Sequence, residues 1–168
     1  MAKTYHMRRS DKEIKDKAKL AKILRETSYV TLALSKEGEP YVVALSHSYD
    51  EAANCLYFHC AAEGKKLDFM RANPLVSGVA VIDHGYYAEQ CSHLYVSAVF
   101  KGRVTFVEDV EEKRKILAHM IGAQEKKKPA ELMKRLEGPQ VGANLARTAV
   151  GRIAIEELTG KKSAEVDF

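Results

Sequence analysis

Consecutive strand patterns, joined by turns of only a few residues, restrict the fold of this chain more than any other feature. Apolar and β-branched residues predict strands at 29–35, 41–49, 55–60, 76–83, 93–107 and 148–158. Most follow one another like a meander, whereas a doubly wound parallel sheet needs strand–helix–strand units. Gly102, in the middle of the longest pattern, indicates a bulge or bend as at a barrel corner. The sequence therefore predicts a mainly β fold, an antiparallel sheet closed into a barrel with peripheral helices.

Two capping boxes predict where helices begin on the outside of this barrel. Ser10 and Glu13 match the first, and the apolar spacing after them predicts an amphipathic helix to about Arg25. Asp109 and Glu112 match the second, at the start of a longer helix. We expect residues 1–27 to form a helical segment that packs on the barrel.

The C-terminal part is less regular but shows no linker or repeat. A short helix is predicted at 129–136 and a break at 138–142, before the last strand. Residues 159–162 are predicted to form a turn, and residues 163–168 to fray. A chain of 168 residues suits one well-cored domain, so we expect 1–168 to be a single domain.

Charge and composition exclude several classes of function. The net charge is only +4, and residues 126–128 are the only dense basic run, so nucleic acid is not an expected partner. No segment has the apolar length of a membrane span, and the N-terminus lacks a signal-peptide core. Three cysteines without paired spacing, Cys55, Cys60 and Cys91, are typical of reduced thiols, so we expect a cytoplasmic protein.

Residues 55–74 combine a buried strand, a glycine turn and a short basic helix start. Gly64, Lys65 and Lys66 lie where this helix begins. A helix N-terminus already carries partial positive charge and exposed amides, so two lysines there favour a bound anion. The sequence predicts a phosphate cradle at this turn. The alternative is that both lysines are solvated surface residues.

The strand at 41–49 has one bulkier face and one small, partly polar face. The small face consists of Val42, Ala44, Ser46 and Ser48, and it suits the approach of a flat ligand as well as it suits packing. His59, at the end of the next strand, could donate to a ligand or shuttle a proton. It could equally be satisfied by a backbone carbonyl, and the same holds for His47. No metal-ligand spacing occurs, and Cys60 has either a thiol pKa lowered by the lysines or a buried structural role.

Six strings of residues in sequence resemble the flavin-binding split barrels related to pyridoxamine-phosphate oxidase, and most closely their nitroimidazole-resistance branch. These strings are MRRSDKE at 7–13, GEPYVVAL at 38–45, LYFHCAAEGKKLD at 56–68, NPLVS at 73–77, GRVTFVED at 102–109 and ELTGK at 157–161. The resemblance implies an antiparallel Greek-key split β-barrel. It also implies FMN bound at the interface of a two-fold homodimer.

The same resemblance implies a set of flavin-binding positions. They are Val42, Val43, Ala44, Leu45, Ser46, His47, His59, Cys60, Lys65, Lys66 and Ser97. Lys65 and Lys66 correspond to the basic pair on the phosphate. His59 matches a histidine implicated in activity in the nitroimidazole-resistance branch, so we expect it to be catalytic.

Departures from the oxidase pattern narrow the expected function. The oxidases have a longer polar side chain at Ser97, a cation at His47, and a substrate-binding Arg and His segment with no counterpart after Thr148. We therefore expect an FMN-dependent oxidoreductase acting on nitroaromatic, nitroimidazole-like or quinone-like small molecules, rather than pyridoxine-phosphate oxidation. Two alternatives remain: a flavin-binding electron carrier or sensor without turnover, and a haem-binding split barrel.

Overall fold

The computed structural model describes residues 7–138 and 141–168. Its strands are β1 Glu13–Ile14, β2 Tyr29–Lys36, β3 Glu39–Asp50, β4 Cys55–Ala61, β5 Leu75–Tyr87, β6 Ser92–Val107 and β7 Thr148–Lys162. Its α-helices are α1 Lys17–Glu26, α2 Lys65–Ala72, α3 Val110–Gln124, α4 Pro129–Lys134 and α5 Val141–Ala146. None of the helices in the described part of the chain is both long and apolar enough to span a bilayer.

The strands form one antiparallel sheet that closes on itself. Their order is β1-β7-β4-β3-β2-β5-β6, and a further pairing of β6 with β7 completes a barrel. Strands β2, β3 and β4 are joined by tight turns, and β5 returns through α2 to lie beside β2, which is a Greek key. The predicted mainly β split-barrel fold is confirmed.

The predicted bend at Gly102 is also confirmed. The pairing of β6 with β7 shifts register between Lys101 and Gly102. A Cβ at position 102 would collide with the backbone oxygen of Ala154 on β7. Glycine is therefore required where β6 bends and approaches β7 this closely.

Large apolar side chains fill the barrel, and helices close it. The interior includes Leu32, Leu56, Phe58, Phe100 and Ile153, each at most 1% exposed. Helix α1 adds the fully buried Ile23 and Leu24. Helix α3 packs over β3, β4 and β7, and the side chain of Asp109 caps it by accepting from the Glu112 amide at 2.8 Å, as the sequence predicted.

The first capping-box prediction is wrong. Residues Ser10–Lys12 form one 3₁₀ turn, and Glu13 and Ile14 then pair with Lys161 and Gly160 of β7. Helix α1 begins after Asp16, whose carboxylate accepts from the Ala18 amide at 2.8 Å. Strand pairing with a distant segment has overridden the local motif.

The C-terminal end differs from its expected turn and frayed tail. Strand β7 continues to Lys162, and the chain beyond it packs against the barrel. Ser163 is buried, and its hydroxyl donates to the His93 carbonyl at 2.9 Å. Val166 is only 6% exposed. Helix α5 was not predicted from the sequence, and residues 139 and 140 of the predicted break lie outside the described residues.

Candidate functional site

The two strands β3 and β4 separate before β4 ends. Strand β3 pairs with β4 only through His47 and the three residues after it. Residues 59–61 of β4 pair instead with β7 alone, while residues 44–46 of β3 pair with β2 alone. The sheet therefore opens between these two stretches, although both remain anchored on their other side.

A cavity of about 440 Å³ fills this opening, and we call it the split pocket. Its lining includes Ala44 and Ser46 from β3, His59 and Cys60 from β4, Lys66 from α2, and Arg147 from the residue before β7. Small side chains thus form one wall, and two cations lie at the other. The volume falls within the usual range for small-molecule sites.

Helix α2 begins at the edge of the split pocket. Gly64 precedes it with φ of +127°, a conformation that favours glycine, and no side chain caps the helix. The first amides of a helix lack intrahelical partners and carry partial positive charge. The predicted glycine turn at a helix start is confirmed, and it is an anion-favouring environment.

The two adjacent lysines of α2 have different surroundings. The Lys65 ammonium donates to the Glu39 carboxylate at 2.7 Å and lies 5.1 Å from the Tyr41 ring centroid and 5.3 Å from that of Phe69. Lys66 lines the split pocket. Lys66 therefore lies at the pocket and Lys65 is engaged outside it, while the phosphate contact expected for the pair stays a prediction.

Arg147 is the second cation of the split pocket, and the sequence analysis did not identify it. Its carbonyl accepts from the Ala62 amide at 3.3 Å, which places it directly beside the end of β4. The neighbouring pair, Ala61 with Thr148, belongs to the β4–β7 register. This register brings Arg147 to Lys66 from 81 residues further along the chain, so no local pattern could have identified it.

His59 and Cys60 leave β4 in different directions and titrate differently. Partial burial lowers the pKa of His59 below its ordinary value of 6.5, so its imidazole is neutral at pH 7. Burial raises the pKa of the Cys60 thiol, and the opposing effects of Lys66 and Arg71 are smaller. Of the two alternatives for Cys60, the lowered pKa is therefore not supported, and Cys60 is a half-buried, protonated thiol on the pocket wall.

The other predicted flavin-binding residues of β3 divide between its two faces. Leu45 is buried and Val43 half-buried in the barrel core. His47 is 2% exposed, its Nε2 bonds the Leu24 carbonyl at 2.8 Å, and its own carbonyl accepts from the Gln124 side chain. The His47 side chain thus lies on the face opposite Ser46 and away from the split pocket. Its predicted contact with a flavin stays a prediction.

The remaining residues of this set lie on an open face of four strands. We call this the outer sheet face; it comprises Tyr29, Thr31, Ala33, Val42, Ala44, Ser46, Val79, Val81, Ser97 and Val99. Four of its large apolar side chains are 45–62% exposed: Tyr29 60%, Val42 62%, Val81 49% and Val99 45%. Such a contiguous apolar area is typical of a protein–protein interface.

Ser97 lies on this face, but it is only 8% exposed, its hydroxyl donates to the Lys161 carbonyl at 3.5 Å, and it is far from the split pocket of its own chain. Ala44 is in the same row as Thr31, Val79 and Val99, and Ser97 is two residues from Val99 along β6. Three strand spacings, about 14 Å across the sheet, therefore separate the strand of Ser97 from that of Ala44, and Ser97 is also two residues further along its strand. The predicted site residues form two groups that one chain does not bring together.

An antiparallel Greek-key barrel with a split between two strands and a cationic pocket in that split defines a split-barrel protein. The sequence pattern of the pyridoxamine 5'-phosphate oxidase family matches residues 16–162, and the chain belongs to this family. The resemblance drawn from the six sequence strings is thereby confirmed. No curated protein sequence matches the chain significantly.

Solved structures agree with this assignment. A candidate 5-nitroimidazole antibiotic resistance protein from Bacteroides thetaiotaomicron is 26% identical, with a TM-score of 0.74 over 89% of this chain and 85% of that one. An FAD-binding protein from Mesorhizobium loti is also 26% identical, with a TM-score of 0.64 over 88% and 95%. A flavocytochrome from Azotobacter vinelandii, 18% identical, shares the fold with a TM-score of 0.79 over 98% and 76%.

Proposed function

We propose that this chain binds FMN in the split pocket and acts, as a homodimer, as an FMN-dependent oxidoreductase on small molecules. The observation that carries the proposal is the split pocket itself. Two cations and an uncapped helix start lie at one end of it, and an unpaired strand margin lies along its side. A flavin mononucleotide needs both, because its phosphate is anionic and its ring system is flat and polar along its edges.

The donor set of the pocket fits a phosphate monoester. Lys66 and Arg147 would hold the phosphate, and the first amides of α2 would add to the field. Arg147 offers two parallel donors to phosphate oxygens, whereas Lys66 acts as a point charge. The Lys65 ammonium bonds the Glu39 carboxylate, so in this proposal Lys65 adds only to the positive potential at the helix start and does not contact the phosphate.

The margin of β3 fits the edge of a ring system. At residues 44–46 this strand has a hydrogen-bonded neighbour only on the β2 side. In an antiparallel strand, half of the backbone groups point toward each neighbour, so those on the other side face the split. Ala44 and Ser46 add little bulk there, which allows a ring to approach the backbone.

FMN would supply the electron transfer at its isoalloxazine ring, and the protein would bind and orient that ring. His59 lines the split pocket as a neutral imidazole and is therefore able both to donate and to accept a proton. In this proposal His59 faces the substrate and is the catalytic residue of the chain.

The outer sheet face supports a two-fold dimer. Two copies that pack these faces together would bury the exposed Tyr29, Val42, Val81 and Val99. A two-fold axis in the interface and parallel to the strands carries Ser97 of one subunit over to the β3 side of the other. This arrangement would bring both groups of predicted site residues to one flavin.

The relatives support the substrate class. The Bacteroides protein with 26% identity is a candidate 5-nitroimidazole resistance protein, and we propose nitroaromatic, nitroimidazole-like or quinone-like acceptors for this chain. The Mesorhizobium relative binds FAD, so the test must distinguish FMN binding from FAD binding. Binding of a terminal phosphate by Lys66 and Arg147 would favour FMN.

The test is to purify the chain, reconstitute it with FMN and with FAD, and record absorption spectra and dissociation constants. Tighter binding of FMN, followed by stopped-flow reduction with NADH or NADPH and reoxidation by a nitroaromatic or quinone, is the expected result. Flavin binding without any turnover would instead favour an electron carrier or sensor. A Soret band without flavin peaks would contradict the proposal in favour of haem.

A further inference from the structure

A second cavity lies beside the split pocket, between helices α3 and α4. We call it the α3–α4 cleft; its volume is about 260 Å³. His59 lines both cavities, so the imidazole stands at the junction between them. A molecule in the cleft would therefore touch the residue that borders the proposed flavin.

The walls of the cleft are mostly apolar. Leu117 and Ile121 come from α3, and Leu132 comes from α4, while the buried Met120 lies at the base. Met120 is buried, and the other three side chains are half-buried. Its volume lies near the lower end of the range for ligand sites, which suits a molecule of one or two rings.

The segment beside the cleft is basic, and two charged residues, Arg135 and Glu125, line the cleft itself. Arg135 forms no ion pair with any described residue. Residues 125–136, which connect α3 to α4 and include the latter, contain five cations and two carboxylates. The basic run 126–128 belongs to this segment. A net positive charge beside low-dielectric walls concentrates ligands of the opposite charge.

From these three features we infer that the α3–α4 cleft is a binding site for a small aromatic carboxylate. Its ring would pack between Leu117, Ile121 and Leu132, and its carboxylate would bond the Arg135 guanidinium. Its other end would reach His59. The inference rests on the proposed function only where the ring also carries a nitro or quinone group that a reduced flavin could reduce; the binding itself needs no cofactor.

The charge of the ligand is tested with 2-naphthoate and its neutral analogue 2-naphthamide. Naphthoate fluorescence during titration with the purified protein reports affinity. Arg135→Gln should weaken naphthoate binding about tenfold, as for the loss of one charge-assisted hydrogen bond, and should leave naphthamide binding unchanged. Lys134→Gln is the matched control, because Lys134 is an exposed cation one position away that does not line the cleft. It should change naphthoate binding less than about twofold, as expected for a screened surface charge.

The position of the ligand is tested by NMR. Intermolecular contacts from the naphthoate ring to the Met120 methyl group and the His59 imidazole are the expected result. Equal losses in both variants would overturn the inference, as would naphthamide binding as tightly as naphthoate or ring contacts elsewhere. Flavin affinity, measured in the same variants, separates the two proposals. A chain that binds naphthoate through Arg135 but takes no flavin disproves the proposed function alone, and the converse disproves the cleft alone.

Discussion

The two margins of strand β4 differ in a way that explains where this barrel can have a function. On the β7 side every residue of β4, from Cys55 to Ala61, has a partner. On the β3 side only the first four residues have one. Strand β4 is thus paired along its whole length on one side and along only its first half on the other, and we call the unpaired part the released margin.

The difference shows how a closed barrel accommodates a ligand without losing its core. Leu56 and Phe58, in the half of β4 that is paired on both sides, are fully buried. The released margin exposes unpaired backbone groups at a site where Lys66 and Arg147 are already present. The first half of β4 therefore stabilises the barrel, while its last residues line the candidate binding site.

The largest effect should come from the paired end. Phe58 is fully buried, packs edge-to-face on Phe106 and has partners on both sides, so Phe58→Ala should lower the free energy of unfolding by about 3–5 kcal/mol. Cys60, two residues on and only half-buried, has a partner on one side. Cys60→Ala should cost about 1 kcal/mol. Urea denaturation measures both, and equal losses would show that the two ends do not differ.

The next effect concerns the outer sheet face, which adjoins the released margin. Val42→Glu would bury an unpaired carboxylate between subunits and should raise the dimer dissociation constant at least about 100-fold. Val110→Glu is the control, since Val110 is 44% exposed at the start of α3 and off this face. Sedimentation equilibrium distinguishes them. An unaffected dimer in Val42→Glu would place the interface elsewhere.

The smallest expected effect is a pH dependence of the folding stability that comes from His47, where the pairing of β3 with β4 ends. Burial lowers the pKa of His47 below 6.5, and its bond to the Leu24 carbonyl opposes this less strongly. The folded chain therefore holds this imidazole neutral, while the unfolded chain takes up a proton as the pH falls through 6.5. The stabilising contribution is complete above pH 6.5 and is lost as the pH falls toward the folded pKa.

The test compares the wild type with His47→Gln in urea at about pH 7.5 and about pH 5.5. The variant should lose less stability between the two values. Arg25, Tyr49 and His119 face the same cavity as His47 and remain in both proteins, and His59 titrates in the same direction in both. An equal loss of stability between the two pH values in both proteins would exclude His47 as the cause of the pH dependence.

Local patterns predicted much of the fold because their causes are local. The capping box at Asp109 and Glu112 needs only neighbouring residues, and so does the glycine turn before α2. The equally good box at Ser10 and Glu13 failed, because pairing of Glu13 with Lys161 satisfies that backbone in another way. No residue near position 13 in the sequence indicates that partner.

The site was predicted less completely, because its chemistry depends on direction and on long-range register. Lys65 and Lys66 are indistinguishable as a sequence pair, yet successive residues of a helix point about 100° apart, and only one faces the pocket. Arg147 reaches the pocket through the β4–β7 register, and Ser97 lies across the sheet from it. These facts follow from tertiary structure alone.

The dissociation constant of FMN tests the central claim most directly, measured for Lys66→Ala, Arg147→Ala, the double variant and Lys65→Ala. The split pocket predicts that each of the first two weakens binding about tenfold and the double about 100-fold, as for one charge-assisted contact each. Lys65→Ala should weaken it less than about threefold, because its exposed pair with Glu39 lies outside the pocket. Wild-type affinity in the double variant, or an equal loss in Lys65→Ala, would contradict the account.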